Sequence, residues 1–454
     1  MSGFLRTSRK SKRAQGFAHR NIEVIPLKIT FLIASFPPEI STGRLGFQLC
    51  KSFTSSGHSV TVVTSFPRKY LVSHRVALKG RLLYREDVKG LNVVRMGPEF
   101  SKRDNVNMRG LEYFYQFFSL FVGGLVGGET DIIMCCSPPL TLALASYFLG
   151  RIKRAPIVVR IGDLHPQELV DLGLIKNKML VHLLELMEKF VYRKTDCLTV
   201  LSKGYRQHLL SKGTESSKVI VLPNWGDLDE LAALRKPGAL SEFKGKFVVT
   251  YAGVLSWFQD VETLVDAASL LQEKTDIHFL IVGDGSQKQF LEEKSKRLKL
   301  QNVTFKPLQP RAEYLRILQS SAVCVIAIKK ELKTTTIPSK LFDIMACGRP
   351  VLAIVPKGET TGIISNSKCG SWVEPQNPGG VAEAVLALYR NPSGREEFGR
   401  NGRKYLEEHF TLKRVSIQHE EIMHRLIKRG NRVKPPRLDE KTASDRTLFL
   451  KRKM

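Results

Sequence analysis

Acidic side chains are scarce in this 454-residue chain: 43 Asp and Glu stand against 71 Lys and Arg, a formal net charge of +28. That balance points toward polyanions, whether nucleic acid, anionic lipid or phosphorylated ligands, with a solvated basic surface as the ordinary alternative. Paired cysteines are missing too. The seven are an odd number, none is spaced C-x-x-C, and only Cys135 and Cys136 adjoin. A disulfide scaffold is excluded, and a reduced, cytosolic setting is expected.

No apolar run reaches the roughly 20 residues of a spanning helix. Residues 114–128 are uncharged but number only 15 and include four glycines, and Pro138-Pro139 interrupts the 19 uncharged residues of 132–150. The second run reads as a buried strand, a Ser-Pro-Pro turn and a helix. Residues 1–20 are basic without a following apolar stretch, so no secretion signal is expected. There is no short-period repeat, no Walker A sequence and no G-x-G-x-x-G.

What is present is ample core material, 43% hydrophobic with 25% charged, in a chain too long for one ordinary domain. Residues 1–30 carry a net +6 and residues 428–454 a net +7, leaving about half of the charge on the body between them. From residue 28 onward, short unbroken apolar runs alternate with helical patterns. The runs 28–34, 60–64, 131–135, 156–159, 196–200 and 218–222 read as strands. After a pause at 235–245 the pattern resumes at 247–251, 277–282, 322–326 and 350–354. Strands apolar on both faces and separated by amphipathic helices predict parallel sheets covered on both sides. The expected organisation is a basic tail (1–27), an N-terminal domain (28–235), a C-terminal domain (246–394), helices (395–427) and a basic flexible tail (428–454).

Three segments carry candidate chemistry. In the loop from Phe36 to Gly46, Gly43 and Gly46 allow close backbone approach ahead of a helix N-terminus, a favourable place for an anion. Gly283-Asp284-Gly285 directly follows a strand. In Ile337-Pro-Ser-Lys-Leu-Phe-Asp, proline opens a helix whose first turn holds Ser339 and Lys340, where dipole and cation both suit a phosphate, and Asp343 lies one turn on. A plain turn or a solvated charge is the bland reading of each taken alone.

In order and spacing these segments resemble a family 4 glycosyltransferase of the GT-B fold, in particular the transferases that build bacterial capsule, colanic-acid-type and O-antigen polysaccharides. The likeness rests on "FPPEISTGRLGFQLCKSFTSSGHSVTVVTSFP", "SPPL", "DLHPQELVDLGL", "VLPNWGDLDEL", "YAGVLSWFQDVETLVDAASLL", "FLIVGDGSQKQFLEEKSKRLKLQNVTF" and "IPSKLFDIMACGRPVLAI". It implies an α/β architecture of two doubly wound, Rossmann-like domains facing across a cleft. It also implies transfer of a sugar from a nucleotide-sugar, most often a UDP-sugar, with retention of configuration and with neither metal nor cofactor. The expected acceptor is a lipid-linked or cell-surface polysaccharide. The partners are then an anionic membrane surface, on whose inner, cytoplasmic face the chain would be peripheral, and no specific nucleic acid.

Carried onto this chain, the resemblance gives Asp343 the ribose hydroxyls, Gly283 and Asp284 the neighbourhood of the nucleotide, and residues 305–308 the base. Ser339, Lys340, Lys329 and Lys330 become diphosphate candidates, with Gly43 facing the phosphates from the other domain. Asp163 and His165 are expected with Lys340 at the reacting centre, a packing role being the alternative for His165. Asp227-Leu-Asp229 spells D-x-D but reads as accidental. Two family cations are replaced by Val254 and by Gln259-Asp260, and the usual glutamate pair by Thr335 and Asp343, whose reach is one methylene shorter. A UDP-sugar 2-epimerase, or a polyanion-binding protein on the same scaffold, are the alternative functions.

Overall fold

The computed structural model describes residues 25–38, 43–67, 81–97, 106–234, 240–332 and 337–431. Most of both basic tails, Thr335 and part of the expected linker fall outside these residues.

The first half builds an eight-stranded sheet. Its elements run β1 (Lys28–Ile33), α1 (Arg44–Ser55), β2 (Ser59–Ser65), β3 (Leu83–Asp87), β4 (Asn92–Met96), α2 (Val106–Val126), β5 (Ile132–Ser137) and α3 (Leu140–Lys153). There follow β6 (Ile157–Ile161), α4 (Gln167–Asp171), α5 (Lys178–Lys194), β7 (Cys197–Val200), α6 (Lys203–Ser211), β8 (Val219–Val221) and α7 (Leu228–Ala232). The strand order is β3-β4-β2-β1-β5-β6-β7-β8, parallel except for the edge strand β3. The run 132–150 divides into β5, a Ser-Pro-Pro turn and α3 as expected. Central strands are buried along their length, whereas β3 alternates exposed and half-buried residues, as an antiparallel edge does.

The second half builds β9 (Phe247–Ala252), α8 (Val261–Leu270), β10 (Ile277–Val282), α9 (Lys288–Arg297), β11 (Val303–Lys306), α10 (Arg311–Ser320) and β12 (Val323–Ala327). It continues through α11 (Ser339–Ala346), β13 (Val351–Ile354), α12 (Glu359–Ser367), β14 (Gly370–Val373), α13 (Pro378–Arg390), α14 (Pro392–His409) and α15 (Leu412–Asn431). The order β11-β10-β9-β12-β13-β14 is wholly parallel, the doubly wound arrangement of dinucleotide-binding domains. Asparagine caps with proline in the first turn start α13 and α14 (Asn377, Asn391).

Two hydrophobic clusters cover the faces of each sheet. The chain crosses between halves twice, side by side, where the Gly226 N–H donates to the Phe410 carbonyl at 2.9 Å. After the second crossing α15 returns to the first half and packs Val415, Ile422 and Met423 into its core. All seven cysteines are free thiols.

Candidate functional site

In doubly wound sheets ligands bind beyond the strand carboxyl ends, where the order reverses. In the second half that point lies between β9 and β12. The two loops beside it are interlocked: the Gly253 N–H donates to the Val282 carbonyl at 2.8 Å, and the Leu255 N–H to the Asp284 carbonyl at 2.9 Å. A Cβ on Gly283 would stand 2.1 Å from the Gly253 oxygen, and one on Gly285 2.2 Å from the Leu255 oxygen. Gly253, at φ +146°, leaves room for the Lys340 stem, whose Cε would lie 2.1 Å from an added Cβ. Close approach demands glycine at all three positions, and at Gly253 and Gly285, whose φ is +146° and +149°, the backbone conformation demands it as well.

Lys340, the second residue of α11, lies across this mouth. Its Nζ donates to the Tyr251 hydroxyl at 2.5 Å and stands 4.1 Å from that ring's centroid, while the hydroxyl donates to the Val254 carbonyl at 2.9 Å. Burial pushes the Lys340 amine down to about 7, so its proton is held weakly until an anion arrives. Ser339 opens α11 beside it. Lys329 follows β12 at the same reversal point and ties its N–H to the Phe258 carbonyl at 3.0 Å, while Lys330 is exposed. The exposed Asp284 side chain accepts from the Gly285 N–H at 2.9 Å and shapes its own turn. The carbonyl of Lys306, in the segment expected to pass the base, accepts the Gly283 N–H at 3.0 Å.

The positions at which the resemblance led us to expect cations hold these loops together instead. Gln259 Oε1 accepts from the Ser256 hydroxyl at 2.5 Å, and the buried Asp260 accepts from the Thr263 hydroxyl at 2.7 Å and the Gln376 N–H at 2.9 Å.

In the first half, Gly43 ends the loop after β1, and an added Cβ would stand 2.5 Å from the Phe36 Cα. Asp163 follows β6. Its side chain is exposed, yet desolvation by the surrounding protein raises its pKa to about 6. Two residues on, His165 is half-buried before the cis bond to Pro166.

Sequence reasoning missed the neighbour of this pair. Glu168 is 5% exposed, and its Oε1 accepts from the Leu164 N–H at 3.1 Å and the Tyr205 hydroxyl at 2.6 Å. Burial and then the charge of Asp163 raise its pKa. The charge of Asp163 thus adds to burial in keeping the Glu168 carboxyl protonated more readily than usual.

Asp343 departs from expectation. It is 3% exposed and does not offer a free carboxylate. Arg311 grips it with both guanidinium nitrogens at 2.9 and 2.8 Å, Arg44 reaches it from the other half at 3.1 Å, and the Tyr314 hydroxyl donates at 3.3 Å. Burial alone would raise its pKa, but Arg311 and Arg44 prevail and hold the carboxyl below its usual range. The shorter aspartate arm stays within reach of α10, where bidentate arginine fixes it.

The cluster extends across both halves. Arg311 Nε donates to Glu230 at 3.0 Å, and Gln48 Nε2 donates to Glu230 at 3.1 Å and to Asp227 at 2.9 Å. Asp227 caps α7 through the Glu230 N–H at 3.0 Å, so the first residue of the D-x-D is spent on local structure. Among the described residues no group of three or more His, Cys, Asp or Glu is placed to hold a metal ion.

Two family models match the chain: "Glycosyl transferase 4-like domain" over residues 47–225 and "Glycosyl transferases group 1" over residues 235–405. The probable glycosyltransferase WbjE of Pseudomonas aeruginosa is 26% identical over 302 residues, covering 63% of this chain and 73% of the relative. The putative colanic acid biosynthesis glycosyl transferase WcaI of Escherichia coli is 23% identical over 391 residues, 82% of this chain and 95% of the relative. Among solved structures, sucrose-phosphate synthase from Thermosynechococcus elongatus superposes with a TM-score of 0.70 at 18% identity, covering 88% of this chain and 99% of that one. HepE of Anabaena in complex with UDP-glucose gives 0.65 at 15% identity, with the same coverage.

Proposed function

We propose that this chain, which belongs to the family 4 glycosyltransferases of the GT-B fold, moves a sugar from a UDP-sugar to a lipid-linked glycan, with retention at the anomeric carbon and without a metal ion. A uridine donor is inferred from the UDP-glucose held by the Anabaena neighbour, and polysaccharide synthesis from the colanic acid biosynthesis relative; the lipid-linked acceptor is our own extension of that reading.

The observation that carries this reading is Lys340, lying on the glycine loops at the head of α11 with its proton weakly held. Breaking the bond between the sugar C1 and the phosphate oxygen leaves negative charge on the departing diphosphate. The free N–H groups of α11 and the Lys340 ammonium stabilise that charge where it develops. The acceptor hydroxyl bonds to C1 on the face the diphosphate leaves, and its proton passes to the leaving phosphate oxygen. Asp163 and His165, which follow β6 in the first half, orient the acceptor or sugar hydroxyls in this reading. Asp343 ties Arg44 of the first half to Arg311 of the second instead of holding ribose.

The test is release of UDP from UDP-sugars by the Lys340→Ala variant. Loss of one such electrostatic group lowers turnover on the order of 10²–10³-fold; turnover equal to that of the parent removes Lys340 from the site.

A further inference from the structure

Asp343 is the acidic residue of α11 and stands three positions after Lys340. Residues three apart lie on one helix face, so a nucleoside diphosphate whose phosphates meet Lys340 carries its pentose past this aspartate. A carboxylate beside a bound nucleotide reads the ribose 2′-hydroxyl by accepting a hydrogen bond from it, and that hydroxyl is what separates ribonucleotides from deoxyribonucleotides. Such reading needs an acceptor that the hydroxyl can reach.

Asp343 offers none. An ionised carboxylate has about four acceptor sites, and four donors already stand on this one. Oδ1 accepts from Arg311 Nη2 at 2.8 Å; Oδ2 accepts from Arg311 Nη1 at 2.9 Å, from Arg44 Nη2 at 3.1 Å and from the Tyr314 hydroxyl at 3.3 Å. The side chain is 4% exposed, so even water scarcely touches it. The two arginines are themselves fixed, Arg311 Nε on Glu230 at 3.0 Å and Arg44 Nη1 on Gln48 at 3.2 Å.

The other carboxylate expected beside the nucleotide, Asp284, is exposed and accepts from the Gly285 N–H at 2.9 Å. Strong discrimination comes from a buried group left unpaired, whereas an exposed acceptor that loses a hydroxyl takes water in its place. Asp284 therefore separates the two pentoses weakly.

We propose that this donor site takes 2′-deoxyribonucleoside diphosphates as readily as ribonucleoside diphosphates, so that dTDP-type sugars are donors beside UDP-sugars, with Arg44 closing the Asp343 carboxylate from the other half. The bond that breaks, between the sugar C1 and the diphosphate, is the same in both donors, so Lys340 and the head of α11 serve either. The inference rests on the donor site proposed above and extends it to the pentose.

The experiment is isothermal titration of the full chain with UDP and with 2′-deoxy-UDP, which differ by that hydroxyl alone. Dissociation constants within about threefold of one another are expected, against about 10–100-fold where a buried charged acceptor holds the hydroxyl. A preference for UDP of about tenfold or more overturns the proposal. In Arg44→Ala, its fold checked by melting temperature, Oδ2 loses one donor while Arg311 still grips the carboxylate. UDP should then bind about tenfold tighter than 2′-deoxy-UDP, and a ratio unchanged from the parent overturns the role given to the occupied carboxylate. Binding of neither nucleotide by the parent removes the donor site itself. Binding of UDP with rejection of 2′-deoxy-UDP leaves that site standing and overturns the tolerance alone, so the two failures are distinct results.

Discussion

Lys340 couples donor binding to a proton. In the free protein its amine is held near 7 by burial, whereas an exposed lysine titrates at about 10.4. At pH 8.5 a group of pKa about 7 is about 3% protonated, and one restored to its ordinary value by a facing diphosphate is about 99% protonated. UDP binding at pH 8.5 should therefore take up about one proton, and at pH 6.5 only about a quarter of one, since most of the amines already carry theirs. Between about pH 7.5 and 9.5 the association constant should fall about tenfold per unit. Isothermal titration at pH 8.5 in two buffers of different ionisation enthalpy reads the uptake directly. The Lys340→Met variant should bind UDP weakly and without buffer dependence. Buffer-independent UDP binding by the parent at pH 8.5 would refute the assignment. The free protein supplies an independent sign: the unfolded amine binds its proton at a higher pH than the folded one, so stability should rise from about pH 7 towards 10.

Asp343→Ala leaves Arg311 and Arg44 facing one another with their shared carboxylate gone, and breaking a buried pair in this way costs about 3–5 kcal/mol; denaturant unfolding measures it, and a loss below about 1 kcal/mol contradicts the buried cluster. Glu168→Gln fixes the neutral form that burial and Asp163 favour. Because the raised carboxyl loses stability as pH rises above its ordinary value of about 4.3, the variant should melt higher than the parent at pH 8 and alike at pH 4. Parallel melting profiles across that range would contradict the raised pKa. Gly253→Ala places a methyl where the Lys340 stem lies, at a φ of +146° that alanine rarely adopts, and should weaken UDP binding as well as lower the melting temperature; unchanged UDP affinity would detach that loop from the donor.

The two sheets were legible because their central strands are continuous apolar runs, and burial on both faces leaves no other pattern open to them. Four strands escaped the same reading: β3, which mixes charge with alternation, β4, whose apolar run is broken by the buried Arg95, and β11 and β14, half-buried throughout. The glycine loops and Lys340 could be read because close approach permits only glycine, and proline announces the start of α11. The partners could not. Arg44 lies 299 residues from Asp343, a distance that no local pattern spans, and Tyr251 beneath Lys340 looks in sequence like one more core aromatic. Glu168, two residues beyond Pro166, carried no signal until the fold set its charge beside that of Asp163.

The most direct measurement is the melting temperature of the full chain titrated with UDP, GDP and ADP. A ligand at about 100 times its dissociation constant stabilises the folded state by about 2.7 kcal/mol, so UDP should raise the midpoint of the parent by a few degrees and leave Lys340→Ala unmoved. A midpoint that no nucleoside diphosphate shifts would contradict a donor site at the head of α11.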